Sequence, residues 1–152
     1  MILLAKNEQG YKNLCHLVSL GFLEGYYYKP RIDFELLQQY HDGLICLSGC
    51  IAGELPALLL ENRYEQAKEL AARYRELFGE DYYLEIQNHG LTEEDLVMPQ
   101  LARLSAELDI PLVATNDLHY IKKSDAKMHD VLLCIQTQSS YNDPERMRFT
   151  GQ

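Results

Sequence analysis

The 152-residue sequence predicts an α/β protein in which parallel strands are covered by outer helices. Three observations carry this. Four short apolar runs alternate with longer segments whose apolar residues recur at steps of three and four. That order, strand then helix, points to a parallel sheet. Three of the runs stop at polar or glycine-bearing stretches: Ser48-Gly49-Cys50, Asn88-His89-Gly90 and Asn116-Asp117.

Ile2 to Ala5 reads as the first strand, with helical spacing from Gly10 through Leu14, Leu17, Val18 and Phe22. Tyr26-Tyr27-Tyr28-Lys29-Pro30 is a loop, because the residue before a proline is pushed to extended backbone. Asp33 caps a short helix from Phe34 to Tyr40. Leu44 to Leu47 is a compact run read as a buried strand. A short helix spans Glu54 to Leu60. Asn62 is placed as the cap of a longer helix ending at Phe78, with Glu65 as its capping partner. Tyr82 to Ile86 is the third strand. Thr92 opens a helix with the stripe Val97, Leu101, Leu104 and Leu108, in which Pro99 marks a kink or a restart. Ile110 to Thr115 is the fourth strand. Ser124 caps a last helix with Met128, Val131, Leu132 and Ile135 on one face. Residues 1–140 are expected to form one folded unit and 141–152 a tail.

Composition narrows the function classes. Hydrophobic residues make up 47% and charged residues 24%, with 11 Tyr and no Trp, as in a globular domain with a real core. The net charge of −9 argues against broad capture of nucleic acid by this chain alone. Bound metal ions can supply the positive charge that an acidic chain lacks for phosphate chemistry. No run approaches the roughly 20 apolar residues of a membrane span, and Met1 to Ala5 does not read as a signal peptide. The expectation is a cytoplasmic protein that does not engage a membrane. Cys15, Cys46, Cys50 and Cys134 form no CxxC pair, so reduced thiols are the default.

The strand ends hold the chemistry. In parallel α/β proteins reactive groups gather beyond the carboxyl ends of the strands. One run here ends at Cys50, one carries Glu85 and leads to His89, and one ends at Asp117 and His119. Side chains two apart on an extended chain point the same way. Asp117 and His119 can therefore aim a carboxylate and an imidazole at one point, a mixture suited to Zn²⁺, Mn²⁺ or Fe ions. Plainer readings stand beside this. Asp117 can cap a turn, and His119 can bond to backbone. Cys46 and Cys134 read as core, Cys50 taken alone can be a small buried hydrophobe, Glu85 can pair with a buried Arg or Lys, and His89 can be a turn residue. His129 reads as a helical partner of Asp125. The tyrosine run with Lys29 and Arg31 can stack on bases, although a loop at the core edge accounts for it more simply. Ser48 to Gly53 does not match a P-loop.

The segments LLAKNEQGYKNLCHLVS, KPRIDFELL, GLICLSGCIAGELP, YYLEIQNHG, PLVATNDLHY and DVLLCIQT follow one another in a specific order and spacing. They resemble the second half of the PHP domain (polymerase and histidinol phosphatase domain) of the bacterial replicative DNA polymerase III alpha subunits, over nearly the whole chain. The tail DPERMRFTGQ resembles the link toward the polymerase body. The resemblance implies part of a distorted (β/α)7 barrel with divalent metal ions, Zn²⁺, Mn²⁺ or Mg²⁺, at the carboxyl ends of its strands. It implies metal ligands at Cys50, Asp117 and His119. It assigns none to Glu85 or His89, which lie near the same rim as candidates.

The family's early His-x-His and its further His and Glu ligands have no counterpart in this sequence, so the ligand set expected here is incomplete. The implied parent is a DNA-directed DNA polymerase, a nucleotidyltransferase of DNA replication. Its PHP domain either contributes to a 3′–5′ exonuclease site or serves as a structural module that docks a separate proofreading exonuclease. Partners implied are DNA and replisome subunits, with self-association through exposed half-barrel edges. The 152-residue chain alone is expected to be nearly inactive. A stand-alone metal hydrolase of small phosphates is a third reading, for which five histidines in these positions are too few.

Overall fold

A computed structural model describes residues 1–149; the last three residues of the expected tail lie outside the described residues. Four strands form one sheet in the order β1 (Ile2–Ala5), β2 (Leu44–Leu47), β3 (Tyr82–Ile86) and β4 (Leu112–Ala114). β2, β3 and β4 run parallel, and β1 pairs antiparallel to β2, Ile2 opposite Leu47 and Ala5 opposite Leu44. The expected α/β class holds, with one strand reversed. Sequence periodicity gives a strand but not its direction, which is set by the connection that follows it.

Among the described residues the α-helices are α1 (Glu8–Leu23), α2 (Phe34–Gln39), α3 (Glu54–Leu60), α4 (Tyr64–Phe78), α5 (Thr92–Leu108) and α6 (Ala126–Thr137). α1 starts earlier than its apolar spacing suggests, because the Asn7 side chain accepts the Gly10 N–H at 2.9 Å. Gly10 is required there: a Cβ on it would lie 1.8 Å from the carbonyl oxygen of Gly43. Helix and loop thus meet backbone to backbone.

Three local expectations need correction. Asn62 is not the cap of α4; it sits at φ +59 in the preceding turn, a left-handed position that Asn tolerates, and Arg63 holds the cap position. Thr92 is the first residue of α5 and Leu91 precedes it as cap, while the helix continues through Pro99. Ser124 lies in a short 3₁₀ turn, Lys123–Asp125, ahead of α6.

The core lies between the sheet and the helices. Leu44, Cys46, Tyr82 and Leu84 are all at most 2% exposed and join Ala67, Ala71, Leu101 and Leu104 from α4 and α5. Burial pushes the Cys46 thiol up to about 12, as expected of a core cysteine. On α6 the stripe Met128, Val131, Leu132 and Ile135 is exposed, whereas Leu133 is buried and so, as expected, is Cys134. The segment after α6 folds back on it: Arg146 forms a bidentate pair with Asp130 and its Nε donates to the Tyr141 carbonyl at 2.9 Å.

Candidate metal centre

The strand ends meet along one rim. Because β1 is reversed, its amino end arrives where β2 leaves, and a Cβ on Gly49 would lie 3.1 Å from the Met1 backbone nitrogen. Beside it come Ser48 to Cys50 after β2, Gln87 to His89 after β3, and Thr115 to His119 after β4.

Polar contacts tie three of these exits together. The Ser48 Oγ accepts the Glu85 backbone N–H at 2.9 Å, continuing the β2–β3 ladder after β2 has ended. Glu85 faces the side of the sheet opposite Leu84, as alternation requires. Its Oε1 accepts from the Thr115 hydroxyl at 2.5 Å and from the Gln87 amide at 3.1 Å. Among the described residues its Oε2 is buried without a hydrogen-bond partner, in a residue only 3% exposed. A buried carboxylate oxygen with no donor is costly, and a proton, an ordered water or a cation relieves it.

His89 is held by the start of α5. Its Nδ1 lies 2.7 Å from Glu94 Oε1, its backbone N–H donates to Glu94 Oε2 at 2.6 Å, and its Nε2 lies 2.9 Å from the Asn116 carbonyl oxygen. The Glu94 carboxylate and then the Asn116 carbonyl raise the His89 pKa. Burial pushes Glu94 upward, but hydrogen bonds from His89 and Leu91 outweigh it and hold the carboxyl below its ordinary value. Sequence reasoning missed Glu94, Ser48, Gln87 and Thr115. Glu94 had a visible trace: it stands three residues after Leu91, and its carboxylate accepts the Leu91 N–H at 3.2 Å.

Cys50 is a half-buried free thiol just after the left-handed Gly49. Asp117 and His119 are exposed, and the segment that carries them is irregular, with a bend at His119, where an extended strand end was expected. Asp117 has φ +44, and His119 Nδ1 lies 2.6 Å from the Asp117 carbonyl oxygen. His119 reaches an aromatic cluster with His129, at 5.7 Å between ring centres, and Phe149, at 4.2 Å. Asp125, expected beside His129, instead accepts the Lys122 N–H. Among the described residues, no group of three or more His, Cys, Asp or Glu converges closely enough to hold a metal ion.

The PHP domain family model matches residues 1–89, more than half of the chain. The chain belongs to the PHP domain family. Among curated proteins similar to this PHP chain, the DNA polymerase III subunit alpha of Treponema pallidum (strain Nichols) is 54% identical over 150 residues, covering 98% of this chain and 13% of that protein. The subunit named likewise from Deinococcus radiodurans is 51% identical, covering 98% of this chain and 11% of its own length. That of Thermus aquaticus is 45% identical, covering 98% and 12%. This PHP chain therefore spans 11–13% of the length of these relatives. No helix among its described residues is long and apolar enough to cross a membrane.

Proposed function

We propose that this chain is the PHP-domain portion of a cytoplasmic replicative DNA polymerase III alpha subunit, with residues 141–152 leading toward the polymerase body. In this reading its rim contributes to a metal-dependent phosphoesterase site acting in 3′–5′ proofreading. The observation that carries the metal reading is Glu85 Oε2, a buried carboxylate oxygen without a partner among the described residues. The donors fit a divalent ion in kind: a thiol at Cys50, carboxylates at Asp117 and Glu85, and an imidazole at His119 whose Nε2 is turned away from the Asp117 carbonyl. Cys50, Asp117 and His119 would each supply one donor, but among the described residues they do not converge closely enough to hold an ion by themselves. A bound divalent cation lowers the pKa of a water and offsets the charge of the scissile phosphodiester. The chain's own part is to present these donors, keep His119 oriented through its Nδ1 contact, and bind the Glu85 carboxylate from one side only.

Calorimetric titration of Mn²⁺ or Zn²⁺ into the chain tests this. Saturable binding that weakens at least about tenfold in Asp117→Ala and in His119→Ala is expected, with little nuclease activity on single-stranded DNA. No binding would overturn the metal reading. Robust nuclease activity lost in Asp117→Ala would overturn the claim that this chain alone is nearly inactive.

A second reading, a structural module that docks another replisome subunit such as a proofreading exonuclease, draws on the exposed apolar face of α6. Met128, Val131, Leu132 and Ile135 are exposed, as are Leu118 at 83% and Ile121 at 96% shortly before α6 in the chain, and grouped exposed apolar residues mark interaction sites. This reading predicts that His119→Ala changes stability alone.

A further inference from the structure

His89 lies between two acceptors. Nδ1 faces the Glu94 carboxylate at 2.7 Å and Nε2 faces the Asn116 carbonyl at 2.9 Å. A neutral imidazole has a single N–H, so one of these contacts would set lone pair against lone pair. With Glu94 ionised, as the hydrogen bonds from His89 and Leu91 keep it, the imidazolium, with both nitrogens donating, is the form that satisfies both. Glu94 is built to hold it: 5% exposed, in the first turn of α5, with its second oxygen taking the backbone N–H groups of His89 and Leu91. The helix start also favours the negative charge there.

We infer that His89 is a positioning residue: its imidazolium clasps the first turn of α5 to the Asn116 carbonyl and thereby fixes the segment that carries Asp117 and His119. The geometry past Asn116 depends on that hold. β4 has ended at Ala114, and Asp117 is left-handed. The Asp117 carbonyl in turn receives His119 Nδ1. A chain of contacts therefore runs from Glu94 through His89 to Asn116, and on through one peptide unit to the imidazole of His119. The placement of His119 is set from α5, two elements away in the fold.

The clasp itself rests on the hydrogen-bond geometry; only its consequence for metal affinity rests on the proposed metal reading. Nuclear magnetic resonance on the full chain tests both separately. At neutral pH both ring nitrogens of His89 are expected to carry protons. His89→Ala is expected to drop the backbone order parameters of residues 116–119 from about 0.85 toward 0.6 or below, while β2 and β3 stay unchanged. His89→Arg, which keeps a planar cation with several donors, is expected to recover part of that order. Mn²⁺ affinity is expected to fall about tenfold or more in His89→Ala. One unprotonated ring nitrogen, or order at 116–119 that is the same in the Ala variant as in the parent, would overturn the clasp. Failure of the unmutated chain to bind Mn²⁺ would overturn the metal reading, and the order parameters would still decide the clasp.

Discussion

Replacing Glu85 by Gln separates the two terms that a buried, half-satisfied carboxylate contributes. Oε1 already has two donors, the Thr115 hydroxyl and the Gln87 amide, and the carboxamide oxygen can take its place. The group that changes is Oε2, which has no partner among the described residues. An unsatisfied buried polar group costs about 1–3 kcal/mol, and more when charged. The new NH₂ is also unpartnered but neutral, so only the excess due to charge is recovered. We expect Glu85→Gln to stabilise the metal-free chain by about 1 kcal/mol, a rise in Tm of roughly 2–4 °C for a domain of this size. Divalent metal reverses the order. A ligand at 100 times its Kd stabilises the folded state by about 2.7 kcal/mol, and the variant forgoes most of this. The assay is thermal unfolding of parent and variant, each in chelator and in excess Mn²⁺. A variant that melts below the parent in chelator would show that Oε2 is not a liability. Equal upward shifts of both proteins in Mn²⁺ would show that Glu85 does not face the ion.

Three further outcomes follow from other parts of the fold. Leu104, fully buried in α5, should lose about 3–5 kcal/mol on truncation to Ala, read as a lower urea midpoint with unchanged slope. Asp130 is held below its ordinary value of 3.8, chiefly by its hydrogen bonds to Arg146. Since the folded-state pKa is depressed, the pair's stabilisation is fully present above the ordinary value and disappears as pH falls through the folded one. Protease cleavage after Arg146 should therefore accelerate only at strongly acidic pH, and Asp130→Asn should show the fast rate at every pH. Ile135, 71% exposed on α6, should tolerate Asp with a stability change within about 0.5 kcal/mol; sedimentation should show weaker self-association if that face joins copies of the chain.

The parts of the fold legible in the sequence are those governed by local patterning. β2 and β3 coincide with Leu44–Leu47 and Tyr82–Ile86, runs whose length and β-branched or aromatic content leave little choice. α3 likewise matches Glu54–Leu60. What escaped depends on distant partners. The reversal of β1 is decided by where α1 must pack, with Gly10 against Gly43. The α6 stripe has helical period, yet period alone does not say that a neighbour will cover it. Asp-x-His suggested an extended pair; the left-handed backbone at Asp117 and the Nδ1 contact break that extension. His89 looked like a turn residue because its carboxylate partner belongs to the next helix, and its second acceptor is a carbonyl 27 residues further along.

The reversed first strand has a practical bearing on how the protein is handled. Any polypeptide joined ahead of Met1 leaves from beside Gly49, the residue before Cys50. A polyhistidine affinity tag at that end would bring chelating imidazoles to the edge where ions are to be measured, and could manufacture the very signal sought. Purification handles belong at the other terminus, and a leader attached at the front makes a convenient tether for spectroscopic labels that report on that edge.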